Sequence, residues 1–448
     1  MDNATNFGSA LAEFAVHAQL SAKDTFSKLS FLNWLGCAAA GAHERSVDIF
    51  ASFYEGENPC GQAFPIGRHR GVSSSACAAI DCMSSAVFAY DDIHFPTSLH
   101  PCGPVASAIL ALARTQKLSG KDCLTALKTG MEVEVRAAEA LFGPGTETNR
   151  GWYSTGIAGG IGAAAAVGRL LGLDREHMEY ALGLAAASAS GTRGMHTAMS
   201  FCLSPALAAE AGYRSAMLAR SGFSCRIKSL SGANGLIQMI ASKPNYTLGL
   251  DKLGEVYHCE ESVCKIYPFG FVAYAAINCA DELQKYASRC GKTVQDVVLT
   301  VSPVSKRLGG SPFPENVYDS LVCLRYITAG VLTSPDFAYT PISEEFRVPQ
   351  HISNMMENIR VEADAGLGDK QALISARFTD GTGFSYRCTA AIGSEDAPPS
   401  DDAVISKFLT QVSSAVSPAR AELLLKKLLT LEEADDMRPI LSMLMQEG

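Results

Sequence analysis

Several protein classes are excluded by what this chain lacks. Its 448 residues contain no dense Lys/Arg run and carry a formal net charge of −9, so nucleic acid and anionic membrane are not expected partners. No stretch of about twenty apolar residues runs without a charge or a glycine cluster, so no membrane span is expected. Among 14 cysteines there is no C-x-x-C pair, which leaves a zinc knuckle or a thioredoxin-type site without support. Residues Met1 to Phe14 lack the basic start and apolar core of a signal peptide. Cysteines scattered through apolar sequence, such as Cys37, Cys77, Cys123, Cys279 and Cys323, then read as buried thiols in a reducing compartment, not as a disulfide framework. A cytoplasmic location is expected.

What is present is the composition of a globular enzyme, 47% hydrophobic and 19% charged. A chain this long exceeds the size at which one core keeps growing, so two domains are expected. From Ser9 to about Ile240 apolar residues recur at helical spacing, with Ala-rich faces at Ala163 to Ala166 and Ala185 to Ala189 that let helices approach closely. Asp174 is placed to cap the helix of Met178 to Ala189, and Gly172 and Leu173 to stop the one before it. After Lys265 the pattern changes. Val297 to Val301 and Asn358 to Ala363 read as strands, and Ala372 to Phe378 and Gly383 to Ala390 flank a Thr-Asp-Gly-Thr hairpin signal, with helical sequence around Tyr318 to Leu332. The expected architecture is therefore a large all-α domain from residues 1–265, a smaller α+β domain with an antiparallel sheet at 266–393, and C-terminal helices at 394–448 (Ala403 to Val416, Ala419 to Leu429, Ala434 to Met445) that rejoin the first domain.

The densest chemistry lies between Tyr90 and Val105, where Asp91, Asp92, His94 and His100 fall within ten residues. Carboxylates and imidazoles held close can bind a polar substrate and tune one another toward general acid or base work. The competing reading is a solvated loop whose Asp caps the next helix. A metal site is a weaker reading, since the two His are six apart across Pro96 and no second ligand cluster is visible; metal: none is the expectation. Arg150 to Gly156 precedes Gly159-Gly160-Ile161-Gly162 and an Ala-rich helix. No apolar strand leads into it, so close helix packing explains these glycines better than a dinucleotide fingerprint. Tyr153 there reads either as a phenolic acid or base or as a packed aromatic. Lys265, before Ile-Tyr-Pro, reads as a carboxylate-binding cation or as a surface residue, and Leu230 to Gly235 as a turn.

Taken together these segments resemble the MmgE/PrpD family, which includes 2-methylcitrate dehydratase, cis-aconitate decarboxylase and iminodisuccinate epimerase. The similarity covers Asp91 to Gly103, Arg150 to Leu173, Ala185 to Gly191, Leu203 to Gly222, Ser231 to Gly235 and Lys265 to Pro268. It implies a helical domain built from both chain ends, a smaller α+β lid domain, an active site at their seam, a homodimer and cofactor-free chemistry. Asp91, Thr97, His100 and Lys265 stand where the family has active-site residues. Tyr153 stands in place of a family His, Phe201 falls near a family Lys, and Tyr274 falls near a second family His. Arg193 and His196 are close enough in sequence to the replaced Lys to compensate.

The expected activity is that of a cofactor-independent lyase, a dehydratase or decarboxylase, moving a proton next to a carboxylate of a small di- or tricarboxylate. His100 or Tyr153 would transfer the proton, Asp91 would orient it and Lys265 would bind a carboxylate. Thr97, Asp92, His94, Arg193 and Tyr274 complete the expected substrate-binding set. The alternatives are an epimerase or isomerase of a small carboxylate, and a non-catalytic ligand-binding paralogue, for which Phe201 is the best support.

Overall fold

A computed structural model describes residues 3–19, 24–57, 61–196 and 198–444. The chain divides into two units, one of Met1–Val87, Asp91–Cys264 and Asp401–Gly448, the other of Phe88–Tyr90 and Lys265–Ser400.

The first unit is helical. It carries α1 (Asn3–His17), α2 (Thr25–Gly41), α3 (Arg45–Glu57), α4 (Ser74–Ala86), α5 (Cys102–Thr115), α6 (Gly120–Phe142), α7 (Ser154–Leu170), α8 (Arg175–Ala187) and α9 (Leu203–Arg220). Local chemistry sets the starts of several. The side chains of Asp24, Ser73, Ser119 and Asp174 accept from backbone N–H groups in the first turns of α2, α4, α6 and α8, each cap contributing about 1 kcal/mol. Gly172, at φ +66°, ends α7 just before the Asp174 cap.

Helix α7 is the centre of this unit. Every residue from Ser154 to Gly168 is buried, and the helix packs chiefly on α6 and α9. Its small residues are required by distance. A Cβ at Gly162 would lie 2.6 Å from the Gly130 carbonyl oxygen and 2.6 Å from Glu134 Cβ, and one at Gly212 of α9 would lie 2.4 Å from Ala163 Cβ. The helices Asp401–Val412 and Pro418–Leu429 pack against α2 and so return the C-terminal part to this unit.

Two details differ from expectation here. The unit is not purely helical: β1 (Asp92–Ile93) pairs with β4 (Val263–Cys264), and β2 (Glu147–Thr148) with β3 (Ala241–Lys243), both antiparallel. These ladders pair backbone groups of long connections. The stretch Ala434 to Met445 is not one helix either. It holds a short helix, Arg438–Leu441, and a 3₁₀ turn, Ser442–Leu444, with Met445 outside the described residues. Pro439 in the first turn cannot donate to a preceding carbonyl, so the helix begins there.

In the second unit β5 (Val294–Val301), β6 (Ile359–Ala363), β7 (Ala372–Phe378) and β8 (Gly383–Cys388) form one sheet in the order β6-β5-β7-β8. The β5–β7 and β7–β8 pairs are antiparallel, but β5 and β6 are parallel, which corrects the expectation of a wholly antiparallel sheet. The reason lies in the connection. Helices Pro303–Gly309, Leu324–Thr333 and Gln350–Glu357 lie between β5 and β6, and a helical crossover of this length returns the chain to the end where it started. Gly381, at φ +81°, closes the β7–β8 hairpin. Helix Tyr274–Cys290 lays Ile277, Leu283 and Ala287 into the core beside β7 and β8.

The close approach of α7 and α9 predicts that Gly212→Val costs about 1–3 kcal/mol through overpacking. Urea denaturation measures this, and a loss under about 0.5 kcal/mol, the ordinary surface range, would contradict the approach.

Candidate active site

Asp91 lies in a bend just before β1, and Asp92 opens that strand. Asp92 pairs across the ladder with Cys264. Beyond Ile93 the chain turns tightly. Pro96 sits in a 3₁₀ turn, Phe95–Thr97, Ser98 adopts φ +53°, and His94 and Leu99 exchange backbone hydrogen bonds of 2.8 and 3.2 Å. This hairpin carries His100 back to the start of the segment.

His100 Nδ1 lies 2.6 Å from the Asp92 carbonyl oxygen and 3.4 Å from Asp91 Oδ2. A carbonyl oxygen only accepts, so Nδ1 carries the hydrogen and the lone pair of the neutral ring is at Nε2. The Asp91 carboxylate is a second acceptor beside that Nδ1 hydrogen. Asp91 is 7% exposed, so this contact is only weakly screened by water.

A second element meets this pair at the start of α7. Ser154 Oγ donates to the Ser98 carbonyl at 2.6 Å, and the His100 N–H donates to Thr155 Oγ1 at 3.0 Å. Tyr153, the residue before the helix, is buried with its ring 6.4 Å from that of His100. Burial first, and then the Asp91 charge, push the phenol above its ordinary range, opposed in part by a hydrogen bond with Thr155 and by Arg193. The phenol is therefore neutral and has a proton to give.

The segment Gly191 to His196 runs along residues 151–153. Tyr153 N donates to Gly191 O, Arg193 N donates to Gly151 O at 2.8 Å, and Trp152 and Thr192 form a bridge. Gly191 is at φ +127° with Ser204 Oγ 2.0 Å from where a Cβ would stand, so only glycine fits. The strap sets the His196 ring edge-on to Tyr153, centroids 4.8 Å apart and planes at 88°. Burial, then Arg193 and His100, lower the His196 pKa to about 4.

The structure thus gathers Asp91, His100, Tyr153, Arg193 and His196. Other expected site residues of this unit have partners of their own. Asp92 Oδ2 accepts from Cys102 N, the first residue of α5, at 3.0 Å, so the helix-capping reading holds for Asp92 while the solvated loop does not. His94 is fully buried with Nδ1 2.8 Å from Thr97 Oγ1 and Nε2 3.8 Å from Glu261 Oε2. Those two side chains hold the hairpin from beneath. Phe201 lies in the turn Met199–Cys202 that leads into α9. In the second unit Lys265 is 2% exposed and donates to the Ala89 carbonyl at 3.1 Å, which overturns the surface reading. Tyr274 is a core residue there, its hydroxyl donating to Tyr267 O at 3.1 Å. Among the described residues no three His, Cys, Asp or Glu side chains gather as a metal-binding group, and no helix is long and apolar enough to cross a membrane.

Sequence reasoning missed Thr155, whose hydroxyl joins the two walls, and Glu134. Glu134 lies on α6, wholly buried, and among the described residues neither carboxylate oxygen has a hydrogen-bond partner. Burial, with a smaller contribution from Asp92, raises its pKa well above the ordinary carboxylate value. Nothing in Met-Glu-Val-Glu-Val-Arg distinguishes it from a solvent-facing helix residue. Because its pKa is higher in the folded than in the unfolded chain, it opposes folding increasingly as pH rises above the unfolded value of about 4.3. Glu134→Gln should therefore stabilise the protein at pH 7.5. The gain should shrink toward pH 4, as read by denaturant unfolding at both pH values, and an equal gain at both would refute the assignment.

Residues 9–249 match the MmgE/PrpD N-terminal domain and residues 267–431 the MmgE/PrpD C-terminal domain. A cis-aconitate decarboxylase of Aspergillus terreus is 23% identical over 450 residues, covering 93% of this chain and 91% of its own length. The cis-aconitate decarboxylase of Homo sapiens is 24% identical over 378 residues, 79% of this chain and 76% of its own. The cis-aconitate decarboxylase-like protein oryM of Aspergillus oryzae is 30% identical over 205 residues, 44% of this chain and 42% of its own, so the match spans less than half of that relative. With both domains matched in order along its length, the chain belongs to the MmgE/PrpD family.

Proposed function

We propose that this protein is a cofactor-independent lyase of decarboxylase or dehydratase type, acting on a small di- or tricarboxylate. The observation that carries the reading is the His100–Asp91 pair, with Nδ1 held by the Asp92 carbonyl and Nε2 left as the basic atom. The names of the relatives, cis-aconitate decarboxylases, favour loss of carbon dioxide over loss of water.

His100 Nε2 exchanges the proton at the carbon next to the substrate carboxylate, and Asp91 stabilises the imidazolium. The electron pair that remains on carbon after the C–H or C–CO₂ bond breaks is stabilised by hydrogen bonds and cations around the carboxylate. Tyr153, neutral and beside His100, supplies a proton, either to that carbon after carbon dioxide leaves or to a departing hydroxyl. Lys265, a buried ammonium, is the candidate on the second unit for holding a carboxylate. A homodimer belongs to the same proposal and is read by light scattering.

A second reading is epimerisation. Two proton-transfer groups, His100 and Tyr153, stand with ring centroids 6.4 Å apart, and proton exchange between two such groups needs no leaving group. Deuterium entering substrate in heavy water without net product would select this reading.

His100→Ala is expected to lower kcat by about 10²–10⁴-fold, the range for losing a general acid or base. Asp91→Asn should give a smaller loss of kcat, and Lys265→Met should act mainly on KM. Steady-state assays on cis-aconitate and related di- and tricarboxylates test this. Turnover by His100→Ala at the parent rate would remove the assignment.

A further inference from the structure

The strap Gly191 to His196 gives this chain a recognition surface of its own. Its backbone is fixed by the pairing with residues 151–153 and by Gly191, whose missing Cβ leaves room for Ser204. Two side chains then face Tyr153. The Arg193 Nε donates to the Trp152 carbonyl at 3.4 Å, which orients the guanidinium, and among the described residues no carboxylate pairs with it within 4 Å. His196 stands edge-on to the Tyr153 ring. A guanidinium held by its Nε and lacking a counter-ion, next to a general base, has the geometry for bidentate capture of a carboxylate.

The charges on this wall are unequal. Arg193 is a cation; its pKa is lowered, by burial first, but from a starting value so high that the charge persists. His196 titrates near 4 and so is neutral at physiological pH, and Tyr153 is a neutral phenol. The charged and titratable groups acting on His196 are Arg193 on the strap and His100 on the hairpin, and both oppose its protonation. A second carboxylate placed on His196 would meet a polar but uncharged partner, whereas a hydroxyl or carbonyl would meet a matched hydrogen-bonding group.

Resting on the proposed carboxylate chemistry of His100, the geometry points to Arg193 and His196 as specificity residues that receive a carboxylate and an adjacent uncharged oxygen. The substrate class is then a hydroxy- or oxo-carboxylate, with the carboxylate on the Arg193 guanidinium and the neighbouring hydroxyl or carbonyl between His196 and the Tyr153 phenol. Neither residue moves the reacting proton; they set which acid is held beside His100.

The test is titration calorimetry of the full chain with succinate, malate of either configuration, and tricarballylate. Succinate and malate differ by one hydroxyl, and tricarballylate adds a third carboxylate. The parent protein is expected to bind at least one malate enantiomer more than threefold tighter than succinate, and tricarballylate no tighter than succinate. Arg193→Met should weaken malate and succinate by tenfold or more, with part of the loss restored in Arg193→Lys. His196→Phe should abolish the malate preference while leaving succinate within about threefold, the response of a hydrogen-bonding and not a charged contact. Selectivity ratios are the readout because a purely structural role would change all three acids alike, and thermal melting confirms that each variant is folded. Unchanged malate binding by Arg193→Met, or an unchanged malate-to-succinate ratio in His196→Phe, overturns the inference and leaves the His100 reading standing. Binding of none of the three acids by the parent protein overturns both.

Discussion

The helical unit depends on how closely α7 can lie against its neighbours. Where Gly162 and Gly212 stand, a Cβ would come within 2.4–2.6 Å of atoms on the facing helix, so the backbones meet with almost no side chain between them. Such packing gains dispersion contact along the whole helix and fixes its axial position, because interiors of this density do not slide. The consequence reaches the chemistry through three residues. Tyr153, Ser154 and Thr155 open α7, and the two hydroxyls bind Ser98 and the His100 amide. A rigid helix thereby sets a loop whose own sequence is short and polar.

The charge distribution around that loop is uneven in a useful way. Asp91 is a carboxylate beside the His100 imidazole, while Tyr153 and His196 are held neutral by burial. A low-dielectric wall with one anion and one guanidinium has stronger local fields than the same groups would have in water. Beneath it lies a second layer that takes no part in the proposed chemistry. His94 and Thr97 bind one another, His258 Nδ1 is 2.9 Å from both Glu139 oxygens, and Arg136 pairs with Glu132 at 2.6 Å. Desolvation offsets much of the attraction within the buried ion pairs, so they add little to net stability.

Much of this was legible in the residues. Helical periodicity to about Ile240, the Asp174 cap, the strands after Val294 and the Gly381 hairpin follow from local chemistry and match the structure. The density of Asp and His near Tyr90 marked the segment in which Asp91 and His100 come together. What sequence could not show was direction. Asp92, His94 and Thr97 share the segment with Asp91 and His100, and only the tight turn decides which of them face inward. The parallel pairing of β5 with β6 was hidden for a related reason: strand character is local, whereas pairing depends on the path of some sixty intervening residues, of the length a crossover allows. Glu134 was invisible because a helix pattern that includes acids is normally a wet face, and here α7 covers it. The position of His196 beside Tyr153 needed the strap pairing, which joins residues forty apart.

Asp91 and Asp92 are chemically identical and adjacent, yet one faces the imidazole and the other holds the first turn of α5. Their division of labour is set by place: Asp92 is held in the ladder by its pairing with Cys264, and Asp91 stands in the bend before it. A deletion or insertion of one residue between Tyr90 and Ile93 would take Asp92 out of its pairing with Cys264. The composition of the segment would be nearly unchanged, but Asp92 would lose its place over the first turn of α5, so spacing within this loop matters alongside residue identity. Length here is a chemical parameter, and natural variation in this segment should conserve spacing even where side chains drift.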